Sequence, residues 1–229
     1  LNFSKQQFCL RVWGSLASFN RPEFKVERVS YEVITPSAAR AIFSAIFWKP
    51  AILWHIVRIE VLQPIRMISI RKNEAATLAF PGKKPVYIED VHQQKSGLCL
   101  RDVAYRIHAE MEYLPPEKRK QDHPVANSGP ETPEKYVAMF TRRAAKGQSF
   151  FQPYLGTREC AADFEYIPQE AVECDQKERP AIAADRDFGI MLYDMDFDSG
   201  DEPTAMFYRA VMNRGVIEVP AIDSGAVLR

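Results

Sequence analysis

The chain has 229 residues, 46 % hydrophobic and 26 % charged, with 30 Lys/Arg against 30 Asp/Glu. This is ordinary for a soluble globular protein of one large domain or two small ones. No apolar run approaches the roughly 20 residues that cross a bilayer, and the N-terminal LNFSKQQFCLRVWG lacks the cationic-then-apolar order of a secretory signal.

A cytoplasmic protein with no membrane partner is therefore the expectation. Cys9, Cys99, Cys160 and Cys174 show no CxxC spacing, which argues against a zinc site or a disulfide framework and for reduced thiols. No metal or other cofactor is expected. The zero net charge conceals a split. Residues 161–229 hold 6 Lys/Arg against 15 Asp/Glu, a balance of −9, and the remaining 24 and 15 give residues 1–160 a balance of +9. Either the basic part faces a polyanion, or opposite charges pair between the two parts.

KQQFCLRVWG (5–14) mixes β-formers with polar residues and predicts a first strand. In TPSAARAIFSAIFWKP (35–50), Thr35 suits an N-cap and Pro36 the first helical turn. Ala39, Ile42, Phe43, Ile46 and Phe47 form an apolar stripe, and Pro50 should stop the helix at Lys49. AILWHIVRIEVL (51–62) predicts a strand whose Leu53, Val57, Ile59 and Val61 share a face with His55. Residues 64–99 are polar, carry Arg66, Arg71, Lys72, Lys83 and Lys84, and read as a long excursion from the domain, with a hairpin as its candidate form.

LRDVAYRIHAEMEY (100–113) alternates cleanly. Val103, Tyr105, Ile107, Ala109, Met111 and Tyr113 face one way, and Asp102, Arg106, His108, Glu110 and Glu112 the other. A loop over 115–130 leads to TPEKYVAMFTRRAAKGQ (132–148), a helix capped by Thr132, begun by Pro133 and closed by Gly147. Residues 158–167 supply another strand. The order β-α-β, excursion, β-α-β predicts an α+β fold, a ferredoxin-like (RRM-like) βαββαβ domain over 1–167 with the polar insertion at about 64–99. Acidic strands at 187–198 and 206–220, the second with an Asn-Arg-Gly turn, predict a small appended antiparallel β-sheet domain over 168–229.

Familiar catalytic signals are missing: no P-loop, no GxGxxG between a strand and a helix, and no HExxH. DMDFD (194–198) clusters carboxylates, and a solvated strand edge is its ordinary reading. What remains is cationic. Arg28, Lys49 beside Trp48, Arg66, Arg71, Arg142, Arg143, Lys146 and Arg158 are candidates for RNA phosphates, with Trp48 or Tyr105 to stack bases. Cutting RNA without a metal requires a proton taken from a 2′-hydroxyl, charge stabilisation on the phosphorane and a proton for the departing 5′-oxygen. Lys135 can stabilise charge. Tyr136 can serve as a base only among cations that lower its pKa, or as an acid, or it simply packs one turn from Phe140.

Several segments together, in order and over nearly the whole chain, resemble a known family. They are RPEFKVERVSYEVITPSAARAI (21–42), IFWKPAILWHI (46–56), VLQPIRMISIRKNE (61–74), LRDVAYRIHAE (100–110), RRAAKGQ (142–148), LGTREC (155–160) and MFYRAVMNRGVIEVP (206–220). They look like the CRISPR-associated Cas-five family, in the d variant of subtype I-C systems. The resemblance implies a metal-independent endoribonuclease that cuts the CRISPR repeat transcript (pre-crRNA) at the base of its hairpin. It then stays on the crRNA 5′ handle with the other type I-C Cascade subunits. In related subtypes a separate enzyme cuts and this subunit only binds the handle, which is the alternative expectation here.

The family's catalytic set is an aromatic or histidine just before WKP and a lysine–histidine pair at the second helix. Here those positions are Phe47, Lys135 and Tyr136, so the cation is kept and both proton-transfer positions depart. Tyr31, His108 and His123 are the candidates to compensate. The basic surface also permits accessory binding of duplex DNA.

Overall fold

A computed structural model describes residues 5–24, 27–77, 80–82, 85–119, 131–172, 182–197 and 202–229. The centre of the fold is an antiparallel pair, β1 (Lys5–Ala17) and β5 (His92–Tyr113), in register from Lys5 opposite Glu112 to Ala17 opposite Leu100. Both strands alternate. Phe8, Leu10 and Val12 lie opposite Ala109, Ile107 and Tyr105, and all six are buried. β3 (Ile52–Val61) pairs with the other side of β5, and β6 (Asp163–Ile167) with the other side of β1. The order of these four is β3-β5-β1-β6, all antiparallel.

Two helices cover one face. α1 (Pro36–Ile46) starts as its sequence dictates: the Thr35 hydroxyl accepts from the Ala38 N–H at 3.3 Å, and Pro36 needs no donor in the first turn. It buries Ala39, Ile42, Phe43 and Ile46. It ends three residues earlier than Pro50 alone would require, because Phe47 is already extended. The longer helix after the loop, α3 (Pro133–Ala145), is capped by Thr132 and turned at Gly147. The helices meet the sheet through a cluster of rings: Phe140 lies 4.8 Å from Phe8, 4.6 Å from Trp54 and 5.8 Å from Phe43. Truncating Phe140 would cost about 3–5 kcal/mol.

Three sequence expectations need correction. In β3 the core face is Ile52, Trp54 and Ile56, then Ile59 and Val61, because a bulge between Ile56 and Arg58 reverses the alternation. Leu53 and His55 therefore face away from the helices, and His55 bonds Glu112 at 2.7 Å. The strand expected from residue 100 begins at His92. Its first nine residues pair with β4 (Met67–Ala75), and the one-turn α2 (Ile88–Val91) precedes it, so the polar excursion is a hairpin built on the central strand. β2 (Arg28–Val29) adds a short parallel pairing to β5 at Gly97 and Leu98. The strand expected over 158–167 keeps only its second half. Its first half folds as a tight loop against the end of β1, where Gly156, at φ 88°, has no room for a Cβ within 2.1 Å of the Ser18 carbonyl.

The acidic part contributes β7 (Arg186–Asp196), β8 (Thr204–Asn213), β9 (Val216–Glu218) and β10 (Val227–Leu228). The Asn-Arg-Gly turn is as expected, with Arg214 and Gly215 both at positive φ. β9 pairs with β3, so these strands continue the same sheet, while β7 packs on α1. Charges do pair between the basic and acidic parts: Arg40 grips Asp194 through two bonds of 2.6 and 2.9 Å, and Arg186 holds Glu32 at 2.6 Å. Asp194 of the DMDFD cluster is thereby committed to an arginine. The chain is a mixed α/β protein dominated by an antiparallel sheet.

Candidate functional site

The first turn of α3 carries Lys135 and sets Tyr136 against Tyr113 at the end of β5. The Thr132 hydroxyl accepts from the Lys135 N–H at 3.4 Å, fixing the turn. Tyr136, 5 % exposed, packs its ring 6.2 Å from Phe47 and 6.0 Å from Tyr113. Its hydroxyl donates to Glu131 at 2.7 Å, and the same carboxylate accepts from Arg119 at 2.5 Å. Phe47 is fully buried, so it forms a floor beneath Tyr136 and not an open wall. Its carbonyl accepts from the Trp54 indole at 3.1 Å, and the Arg143 guanidinium lies 5.3 Å from the centre of its ring.

The electrostatics of this cluster decide what Tyr136 can do. Burial, and then the bond to the Glu131 carboxylate, push its phenol up to about 12. The cations a tyrosine base would need are countered by an anion, so the net shift runs away from the range in which a phenol serves as a base. Glu131 is held below the usual carboxylate range, first by the Tyr136 hydrogen bond, then by Arg119, with the Lys135 charge adding to both. Glu131, Arg119 and Tyr113 are the residues that sequence reading missed. The Gly–Pro–Glu–Thr–Pro run (129–133) that leads into the helix reads as loop, and a buried arginine beside it leaves no periodic trace.

The binding candidates fall into two groups. At the end of α1, Trp48 and Lys49 share a cleft with Arg143, and Arg142 and Lys146 are exposed on the same last turns of α3. At the hairpin, Arg28 bonds Glu74 at 3.0 Å, Lys95 lies 3.5 Å from Glu74, and Lys72 bonds Glu159. Arg71 and Arg158 are exposed in the same region, and Arg66 lies 3.7 Å from Asp102. Gly97, the partner of Arg28, and Tyr113, the neighbour of Tyr136, stand sixteen positions apart on β5. At about 3.3 Å per residue that is on the order of 50 Å of extended strand.

The proposed compensating groups lie elsewhere. Tyr31 is buried beneath β7, its hydroxyl accepting from the Leu192 N–H at 3.2 Å. His108 lies on the sheet face opposite the helices, 3.0 Å from Glu60. Tyr105 is buried and cannot stack a base. Lys83, Lys84, His123, Cys174 and Asp198 lie outside the described residues. Among the described residues, no group of three or more His, Cys, Asp or Glu is placed to hold a metal ion, and no helix is long and apolar enough to cross a membrane.

Residues 8–220 match the Cas5d family, described as CRISPR-associated protein (Cas_Cas5). The chain belongs to the Cas5d family. A CRISPR pre-crRNA endoribonuclease Cas5d of Mannheimia succiniciproducens is 43 % identical over 236 residues, which cover 96 % of this chain and 97 % of that relative. A Thermus thermophilus protein of the same description is 38 % identical, covering 93 % and 90 %. A crystal structure described as a CRISPR-associated protein shares the fold, with a TM-score of 0.68 at 24 % identity over 98 % of both chains.

Proposed function

We propose that this protein is a metal-independent endoribonuclease that cuts the CRISPR repeat transcript, leaves a 2′,3′-cyclic phosphate and retains the 5′ handle of the crRNA as a type I-C Cascade subunit. The observation that carries the reading is Lys135 in the capped first turn of α3, in a chain whose relatives are pre-crRNA endoribonucleases. The 2′-hydroxyl gives its proton to solvent water as it attacks the adjacent phosphate, and the bond from phosphorus to the 5′-oxygen breaks. The Lys135 ammonium, aided by the N-terminal amides of α3, stabilises the charge that accumulates on the phosphorane. Tyr136, protonated at working pH, has only the donor's role, toward the leaving 5′-oxygen. Arg142, Arg143, Lys146, Lys49 and the hairpin cations hold backbone phosphates.

The strand order β3-β5-β1-β6, with α1 and α3 on one face, supports a ferredoxin-like arrangement for residues 1–167, with 168–229 as a β-rich addition. Duplex DNA is a further ligand of the same cations in this reading. A second reading is favoured by the buried, unreactive Phe47 and the raised phenol of Tyr136: a subunit that binds the 5′ handle without cutting.

Cognate repeat RNA incubated in EDTA separates the two. A single cut that Lys135→Ala abolishes, with binding retained, is expected. Wild type that binds but cuts only when Phe47→Tyr and Tyr136→His are combined establishes the second reading. Cleavage untouched by Lys135→Ala overturns the site.

A further inference from the structure

Three large aromatic side chains stand exposed around one cleft: Phe150 at 81 %, Trp48 at 53 % and Phe151 at 48 %. The cleft, of about 480 Å³, lies between the end of α1 and the segment after α3, and its other lining residues include Lys49, Pro50 and Arg143, with no carboxylate among them. The size is that of a small-ligand site. Its walls are held in place: the Phe150 N–H bonds the Ala45 carbonyl at 2.7 Å, and Arg143 donates to the Ile46 carbonyl at 3.3 Å. Phe150 and Phe151 meet edge to face, 6.3 Å between centres, so each keeps a ring face available.

A ligand with a flat π surface and an anion a few ångströms away matches rings beside two cations. A nucleotide carries both in one unit. Arg143 ties the cleft to the candidate centre, because the same guanidinium lies over Phe47, whose ring packs on Tyr136. We propose that the cleft stacks one unpaired nucleobase of the RNA strand that passes Lys135, while Lys49 and Arg143 take the flanking phosphates. The inference rests on the RNA-processing reading and adds a base-stacking subsite to it. Rings with few hydrogen-bonding groups around them hold any base, so the subsite demands a base without reading its identity.

The test uses the full chain, repeat RNA made uncleavable by a 2′-deoxyribose at the cut, and single abasic positions walked through the unpaired flanks. For wild type, one abasic position weakens binding about tenfold to a hundredfold, and any base restores it. Phe150→Ala with Phe151→Ala loses a similar factor on intact RNA and nothing more at that position. Both side chains are exposed, so an unchanged melting temperature is expected for this variant. Equal binding of wild type and variant to every RNA overturns the inference. So does a loss that simply adds to the abasic loss at every position, or a variant that binds RNA normally but no longer joins its partner subunits, which makes the cleft a protein interface. Those results leave cleavage by wild type intact. Wild type that neither binds nor cuts intact repeat RNA defeats the RNA-processing reading itself, and the subsite with it.

Discussion

Tyr136 illustrates how one neighbour sets the chemistry of a side chain. Among free cations its phenol would move down toward a useful base. Buried and beside Glu131 it moves up to about 12, first because burial disfavours the phenolate and then because ionising it would place a phenolate against a carboxylate. Replacing that carboxylate removes its share of the shift and leaves that of burial. Glu131→Gln should lower the Tyr136 pKa, read by ultraviolet or NMR titration of the phenol, because a carboxamide carries no charge to repel the phenolate. An unchanged titration would mean that burial alone sets the value. Nothing in the sequence announced this pairing. Glu131 and Tyr136 are five positions apart, outside the spacing at which helical neighbours face each other, and Glu131 precedes the helix altogether.

Across elements, β3 and β5 carry a buried ionic cluster on the face away from the helices. Arg106 and Glu60, each with a 2 % exposed side chain, bond at 2.6 Å, and His108 joins Glu60 at 3.0 Å. Burial pushes the Glu60 carboxyl up, but the His108 bond together with the Arg106 and Arg58 charges outweighs it and holds the group below its ordinary 4.5. A carboxyl lowered on folding stabilises the fold above its ordinary value, and that contribution disappears as pH falls through the lowered one. Unfolding midpoints in denaturant should therefore drop below about pH 4.5, and Glu60→Gln should flatten that acid limb. The same substitution leaves Arg106 buried against a neutral group, a loss of about 3–5 kcal/mol at neutral pH. The alternation of residues 100–113 correctly placed Arg106 and His108 on the face away from the helices. It suggested that this face was half-exposed. Only the pairing of β3, shifted by its bulge, brings Glu60 across to bury them.

At the scale of the molecule, the basic surface divides between the two ends of β5, and the two parts are not equivalent. The hairpin cations Arg28, Lys72 and Lys95 already have carboxylate partners in Glu74 and Glu159, which RNA must displace. Arg142 and Lys146 are exposed on the last turn of α3 and beside it. Arg142→Ala with Lys146→Ala should reduce the slope of log affinity against log salt by about 1.4, at roughly 0.7 per phosphate contact on a single strand. Arg28→Ala with Lys95→Ala should change it less. Equal changes would show that the carboxylates leave without cost.

The sequence by itself determined the two helices with their threonine caps, the alternating strands of the centre, the glycine turn of the acidic part and the family. Each is written in neighbouring residues, through a side-chain hydroxyl, a period of two or a backbone angle. The tertiary structure alone decided that residues 92–98 extend the central strand, because both of their faces meet solvent and no alternation marks them. It alone decided that Tyr136 packs beside Phe47 and Tyr113 and that Trp48, Phe150 and Phe151 share one cleft. Those depend on which distant segments come to lie within a few ångströms of each other, a distance that local preference does not encode.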